Sequence, residues 1–153
     1  MADPARLSLN TATVRERWDL PACIEGCARH GIGWIGPWRD GLAAYGVARA
    51  AQHIRDAGLG VSGLCRGGWW TAGTLAEAID DNRRAIDEAA AIGSAHLVIV
   101  NGGLPDGSRD LVAARARCLG GLAAVLPHAR AAGVSLALAP LPPMTCAAPS
   151  VLS

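Results

Sequence analysis

The sequence predicts an α/β fold with a parallel sheet covered by helices, and three observations carry that reading. Alanine-rich segments end in glycine four times, at Gly31, Gly58, Gly93 and Gly133. Each of these glycines leads at once into a short apolar run, at residues 33–36, 61–65, 96–100 and 135–139. The run His96-Leu-Val-Ile-Val100 is almost continuously apolar, as expected of a strand buried on both faces. Glycine just past a helix takes the left-handed conformation that ends it at little cost. With residues 6–10 as a first strand, the order becomes β-α-β-α-β-α-β-α-β. In parallel folds of this kind, chemistry sits on the loops that follow strands, and the opposite end serves stability.

The elements follow in order. Residues 6–10 form strand 1, and helix 1 starts near Asp19, an N-cap with Pro21 in its first turn, and runs to His30. Strand 2 covers 33–36, helix 2 about 45–57, and strand 3 residues 61–65. Helix 3 opens on Thr74-Leu-Ala-Glu77, a capping box, and runs to Ile92 with Ile79, Ile86 and Ala90 facing the sheet. Strand 4 covers 96–100. Helix 4 runs from about Arg109 to Ala132, where Gly120, Gly121 and Pro127 should weaken or kink it. Strand 5 covers 135–139, and the proline-rich segment from Pro140 onward reads as irregular.

A chain of 153 residues is one domain's worth and can bury a sizeable core. The net charge of +1 gives no footprint for nucleic acid or an anionic membrane. All 14 basic residues are arginine, so Schiff-base chemistry and a phosphate-loop lysine are excluded. Nothing approaches the ~20 apolar residues of a membrane span, and the N-terminus has no apolar signal segment. Five cysteines scattered over helices and loops do not read as a disulfide framework, which points to a reduced, cytoplasmic setting.

The loops after the strands concentrate the unusual residues. Trp18, Trp38, Trp69 and Trp70 lie there, with Arg15, Arg17, Arg39, Arg66 and Arg109. Indole rings beside fork-shaped donors suit a polyol or sugar phosphate: the ring packs on the carbon face, and arginine takes phosphate or carboxylate bidentately. Trp69 and Trp70 fit equally well as plugs at the end of the sheet. The glycines at 67–68 and 102–103 read as tight turns. Candidate ligand contacts are Asn10, Trp38, Arg39, Cys65, Arg66, Trp69 and Asn101, at the C-terminal ends of the strands.

Acid–base groups are sparse on that side. His30, His53 and His128 fall on helices and His96 at the start of a strand. Loop-side carboxylates are Glu16, Asp19, Asp40, Asp106 and Asp110; Asp19 and Asp110 read as helix-start residues and Asp106 as a turn residue. No cluster has metal-ligand spacing. Cys23 and Cys27 share a helix face and read as core.

Four segments carry a family resemblance: Gly31-Ile-Gly-Trp-Ile-Gly-Pro-Trp-Arg39, Val61-Ser-Gly-Leu-Cys-Arg-Gly-Gly-Trp69, Asp80 to Gly93, and Val134-Ser-Leu-Ala-Leu-Ala-Pro-Leu-Pro-Pro-Met144. Together they resemble the sugar-phosphate isomerase/epimerase family, the xylose-isomerase-like TIM barrels. The resemblance implies a partial (β/α) barrel of five parallel strands and four helices over residues 1–139, with 140–153 as a tail. A full barrel needs ~250 residues. The family typically uses a divalent metal such as Mn²⁺, Mg²⁺ or Zn²⁺. Its strand-5 segment typically reads Leu-Glu-Pro-Leu-His-Pro, with the glutamate a metal ligand. Here Ala139 stands at the glutamate position and Pro142 at the histidine position, so no metal site and no cofactor are expected in this chain.

The implied function is aldose–ketose isomerisation or epimerisation of a small sugar or polyol, in a truncated form with weak activity or none. An alternative is a non-catalytic sugar-binding or assembly module completed by another chain. A complete five-strand flavodoxin-like domain ranks below both, because no helix follows strand 5. The expected partners are a small sugar or sugar-phosphate ligand, without nucleic acid or membrane. Self-association is expected through the unpaired edges of strands 1 and 5.

Overall fold

The helix–glycine–strand junctions build the expected parallel arrangement. A computed structural model describes residues 3–105, 107–141 and 151. The elements run β1 (Ser8–Asn10), α1 (Leu20–Arg29), β2 (Trp34–Gly36), α2 (Arg39–Tyr45), α3 (Val47–Asp56), β3 (Gly60–Val61), β4 (Leu64–Gly68), α4 (Leu75–Ala91), β5 (His96–Val100), α5 (Leu111–Ala131) and β6 (Ser135–Leu138). Gly31, Gly58, Gly93 and Gly133 follow their helices with φ between 69° and 77°.

All strand pairs are parallel, in two three-stranded sheets ordered β1-β2-β3 and β4-β5-β6. A bridge between Trp38 and Cys65 joins them, so the strands follow one another in sequence order. That order is the one a (β/α) barrel requires, and it excludes the flavodoxin-like arrangement. Each helix touches the next along the chain, α1 with α2 and α3, α3 with α4, and α4 with α5. Ile35, Leu97 and Ile99 are buried, together with Ile24, Ile54, Ile86 and Val125 from the helices. Burying each such side chain contributes about 1.5–3 kcal/mol. Ser8, Trp34, Ser62, His96 and Ser135 on the strands or beside them are exposed.

Several expected boundaries are corrected. Among the described residues the count is six strands and five α-helices, not five and four. Strand 3 is divided because Ser62 continues the pairing with β2, through its N–H to the Ile35 carbonyl at 3.0 Å, before the chain turns to pair with β5. The expected helix 2 is α3, and a further helix, α2, precedes it, set off by Gly46 at φ 94°. Residues 4–6 form a 3-10 turn capped by Asp3, which shortens strand 1. The buried face of α4 is Ala78, Asn82, Ala85, Ile86 and Ala89; Ile86 faces the core as expected and Ile79 packs partly against it, whereas Ala90 is exposed. Helix α5 runs unbroken through Gly120, Gly121 and Pro127. Pro127 is exposed in its last turns, and Gly121 lies against the Trp70 ring, where a side chain would not fit. The capping box of Thr74 and Glu77 and the caps at Asp19 and Asp110 form as expected.

Candidate functional site

The C-terminal ends of β1, β2 and β4 bring together a stack of alternating rings and guanidinium groups. The Arg15 guanidinium lies 4.8 Å from the Trp38 ring centroid, and that of Arg66 lies 5.5 Å from the same centroid. Arg66 also lies 4.4 Å from the centroid of Trp69. A cation over an indole at this range is stabilised by the ring quadrupole, by about 0.5–1 kcal/mol where solvent is near. Trp38 is held from behind, because its Nε1–H donates to Asn10 Oδ1 at 2.9 Å. The same Asn10 oxygen accepts the Ala12 N–H at 3.1 Å, which fixes the first loop.

Strand β4 positions Arg66 and Trp69 through its irregular end. Its register with β5 shifts between Cys65 and Gly67. The buried Asn82 of α4 clamps Gly68: Oδ1 accepts the Gly68 N–H at 2.7 Å, and Nδ2 donates to the Gly68 carbonyl at 2.8 Å. Gly68 at φ 104° passes so close to Val100 that no side chain fits there. Trp69 follows at φ 56°, an unusual conformation for a bulky residue, held by its N–H to the Val100 carbonyl at 2.8 Å.

A cleft of about 260 Å³ opens between these groups, lined by Arg15, Trp38, Arg39, Asp40, Cys65, Arg66 and Trp69. A second hollow of about 300 Å³ adjoins it and shares Arg15, Trp38 and Asp40. Of the expected contacts, Trp38, Arg39, Cys65, Arg66 and Trp69 therefore line one cleft. Asn10 stands one hydrogen bond behind it. Asn101 is fully buried, and neither of its side-chain polar atoms has a partner among the described residues. Trp70 is also fully buried against Gly121, so of the paired indoles it is the plug and Trp69 the cleft wall. Sequence reasoning left Arg15 and Asp40 out of the contact set, and passed over Asn82. An asparagine on the otherwise apolar buried face of a helix was the available signal. Asp106 lies outside the described residues.

The three arginines that are not exposed differ in their partners. Arg39 donates to Asp81 at 2.9 and 3.1 Å and to Glu88 at 2.6 and 3.3 Å. Burial works against its charge, but these hydrogen bonds outweigh it and raise the Arg39 pKa further. The hydrogen bond from Arg39 holds Asp81 below the usual carboxylate range, with partial burial opposing. Arg117 donates to the carbonyls of Trp70 and Gly73, both at 2.6 Å. The Arg66 guanidinium has no hydrogen-bond or carboxylate partner among the described residues. Burial pushes the neighbouring Cys65 thiol up, against the pull of the Arg66 charge, so it is no ready nucleophile at neutral pH.

The comparisons with known proteins fit this geometry. Residues 24–150 match the family model of the xylose isomerase-like TIM barrel. The chain belongs to the xylose isomerase-like TIM barrel family. Its resemblance to protein SMc04130 from Sinorhizobium meliloti 1021 is strong, with 50% identity over 95% of this chain and a TM-score of 0.92. The fold is shared at lower identity with D-psicose 3-epimerase from Clostridium cellulolyticum H10, solved with D-tagatose (13% identity, TM-score 0.73, 88% of this chain and 52% of that one). It is also shared with the IOLI protein, solved with a bound zinc atom (17%, TM-score 0.71, 86% and 50%). The chain covers 54% of SMc04130, so it spans about half the length of these relatives. No curated protein matches the sequence.

The described residues do not fit the divalent metal that the family implies. Ala139, just past β6, offers a methyl group where a ligand oxygen is needed, and its N–H is bonded to the Ile99 carbonyl at 3.0 Å. Among the described residues, no three His, Cys, Asp or Glu side chains gather closely enough to hold an ion. No helix among them is long and apolar enough to cross a membrane.

Proposed function

We propose that this chain is a sugar isomerase/epimerase-like protein of carbohydrate metabolism whose own residues bind a small sugar or polyol and turn it over weakly or not at all. The cleft walled by Trp38 and Trp69 carries the reading. Indole faces and edges suit the carbon skeleton of a sugar, and the surrounding arginines suit its oxygens. The cleft of about 260 Å³ lies just under the ~300 Å³ at which small-ligand sites usually begin, and the adjoining hollow of about 300 Å³ extends it. Proton transfer beside a carbonyl needs a positioned acid or base. Among the described residues, Asp40, an exposed carboxylate 4.0 Å from Arg15, is the carboxylate that lines the cleft. The thiols of the described cysteines, all free, support a reducing cytoplasmic setting. The test is titration calorimetry with D-fructose against the wild type and Trp38→Ala. Saturable binding that Trp38→Ala weakens at least tenfold supports the reading; no binding, or equal binding by both proteins, refutes it.

A second reading, assembly with another copy, rests on the open sheet. Strands β1 and β6 each have one pairing neighbour among the described residues. Leu138 on the β6 edge is 49% exposed and Trp34 on β2 is 45% exposed. Open edges with apolar side chains pair with other chains. Each copy carries one edge of each kind, so β6 of one copy and β1 of another satisfy each other in parallel. Sedimentation should show a dimer or larger species; a stable monomer at high concentration would remove this reading and leave the first intact.

A further inference from the structure

We propose that helix α4 sets the gap between the two indole walls in which the ligand is held, with Asp81 and Asn82 as the positioning residues. Asp81 holds the Trp38 side and Asn82 holds the Trp69 side. The contacts are all formed within the described residues, and only their consequence for affinity rests on the sugar-binding reading above.

Asp81 and Asn82 are neighbours in the second turn of α4. With 3.6 residues per turn, adjacent side chains point about 100° apart, so the two reach different elements. Asp81 is partly exposed and turns towards α2, where it accepts from both Nη atoms of Arg39, at 2.9 and 3.1 Å. Glu88, two turns further along the same side, accepts from Arg39 Nε at 2.6 Å and Nη2 at 3.3 Å. Forked bonds between a guanidinium and carboxylates are strong and fix geometry. Arg39 opens α2 and directly follows Trp38, the residue that caps that helix. Asn82 faces inward and is fully buried. Its amide exchanges two hydrogen bonds with Gly68 and is fixed to the Ala78 carbonyl of its own helix. Gly68 directly precedes Trp69. Gly67 leaves room for the amide, because a side chain there would collide with Asn82 Oδ1.

Each tie therefore ends one residue away from an indole, and both start from adjacent positions of one helix. Consecutive Cα atoms stand ~3.8 Å apart whatever the rest of the chain does, so the two anchor points cannot separate. The walls themselves lie on different segments that follow β2 and end β4, and such segments move more readily than the elements they join. The bridge between Trp38 and Cys65 joins the two sheets before the register of β4 shifts. It leaves the Trp69 end to the Asn82 clamp and to the Val100 carbonyl. A gap set before the ligand arrives leaves less ordering to be done on binding. Asp81, Asn82 and Glu88 are not among the residues that line the cleft, so they act on a ligand through the walls alone. A further bond of the same helix supplies the contrast: Asp87 meets His128 of α5 at 2.7 Å and leads to neither wall.

The test follows the indole N–H resonances of the ¹⁵N-labelled full chain, first without ligand and then with D-fructose. Three variants are compared: Asp81→Asn with Glu88→Gln, which removes both charges from Arg39; Asn82→Ser, which opens the clamp; and Asp87→Asn, the control. Without ligand, the first should shift the Trp38 indole and the second the Trp69 indole. Asp87→Asn should shift neither, and Trp34 should stay still in all three. Fructose affinity should fall about fivefold or more in the first two variants and stay within about twofold in the control. Unmoved Trp38 and Trp69 indoles in the brace variants, or equal shifts in Asp87→Asn, would overturn the proposal. So would shifted indoles with unchanged fructose affinity, a result that leaves sugar binding standing. If circular dichroism shows Asn82→Ser unfolded, the Asp81→Asn, Glu88→Gln protein decides alone. If the wild type binds no fructose, the sugar-binding reading fails, and the ligand-free shifts decide whether α4 sets the gap.

Discussion

The side chain of Asn82 closes on the backbone of Gly68, accepting its N–H at 2.7 Å and donating to its carbonyl at 2.8 Å. A third bond, from Nδ2 to the Ala78 carbonyl at 2.8 Å, fixes the amide to its own helix. This clamp couples α4 to the end of β4, one residue before Trp69. Asn82→Ala leaves both polar groups of Gly68 buried without a side-chain partner, so it should destabilise by about 2–4 kcal/mol. Urea unfolding measures this; a loss below about 1 kcal/mol would mean the strand end is held without Asn82.

Two adjacent glycines of α5 should respond in opposite directions. Replacing glycine by alanine in a helix interior gains about 1 kcal/mol in propensity. At Gly120, which is exposed and has only Leu75 Cδ2 at 3.9 Å, that gain should appear in full. At Gly121 a methyl group would run into the buried ring of Trp70, where overpacking costs typically 1–3 kcal/mol. Gly120→Ala should raise the thermal midpoint and Gly121→Ala should lower it. The same sign at both positions would show that Trp70 does not rest on Gly121.

The Arg39–Asp81 pair predicts a loss of stability in acid. Arg39 depresses the folded-state pKa of Asp81, so the carboxylate contributes stability above its unfolded value of about 3.9. That contribution disappears as pH falls through the depressed value. Denaturation midpoints measured from pH 6 down to pH 2 should fall less steeply in Asp81→Asn than in the wild type. Parallel curves for the two proteins would contradict the pairing.

The fold was legible because glycine, capping and apolar runs are local signals. Gly31, Gly58, Gly93 and Gly133 marked the helix ends, and the Thr74–Glu77 box marked a helix start. What escaped was set by contacts distant in sequence. Gly121 sits in an intact helix because Trp70, far away in the chain, fills its place. Strand 3 divides because Ser62 answers to β2 while Leu64–Gly68 answers to β5. In the candidate site, loop position alone gathered Trp38, Arg39, Cys65, Arg66 and Trp69 into one cleft. It could not tell that Arg39 is taken up by Asp81 and Glu88, or that Asn101 is buried. Those facts depend on α4 and on the depth of β5, which spacing does not encode.

The central claim, that the cleft between Trp38 and Trp69 binds a sugar, is tested most directly by the indole N–H resonances. A ¹⁵N-labelled chain titrated with D-fructose 6-phosphate should show saturable shifts at the Trp38 and Trp69 indoles, assigned with single Trp→Phe variants. Trp34, on β2 away from the cleft, and the buried Trp70 should stay still. Shifts confined to Trp34, or no saturable shift at any indole, would contradict the claim.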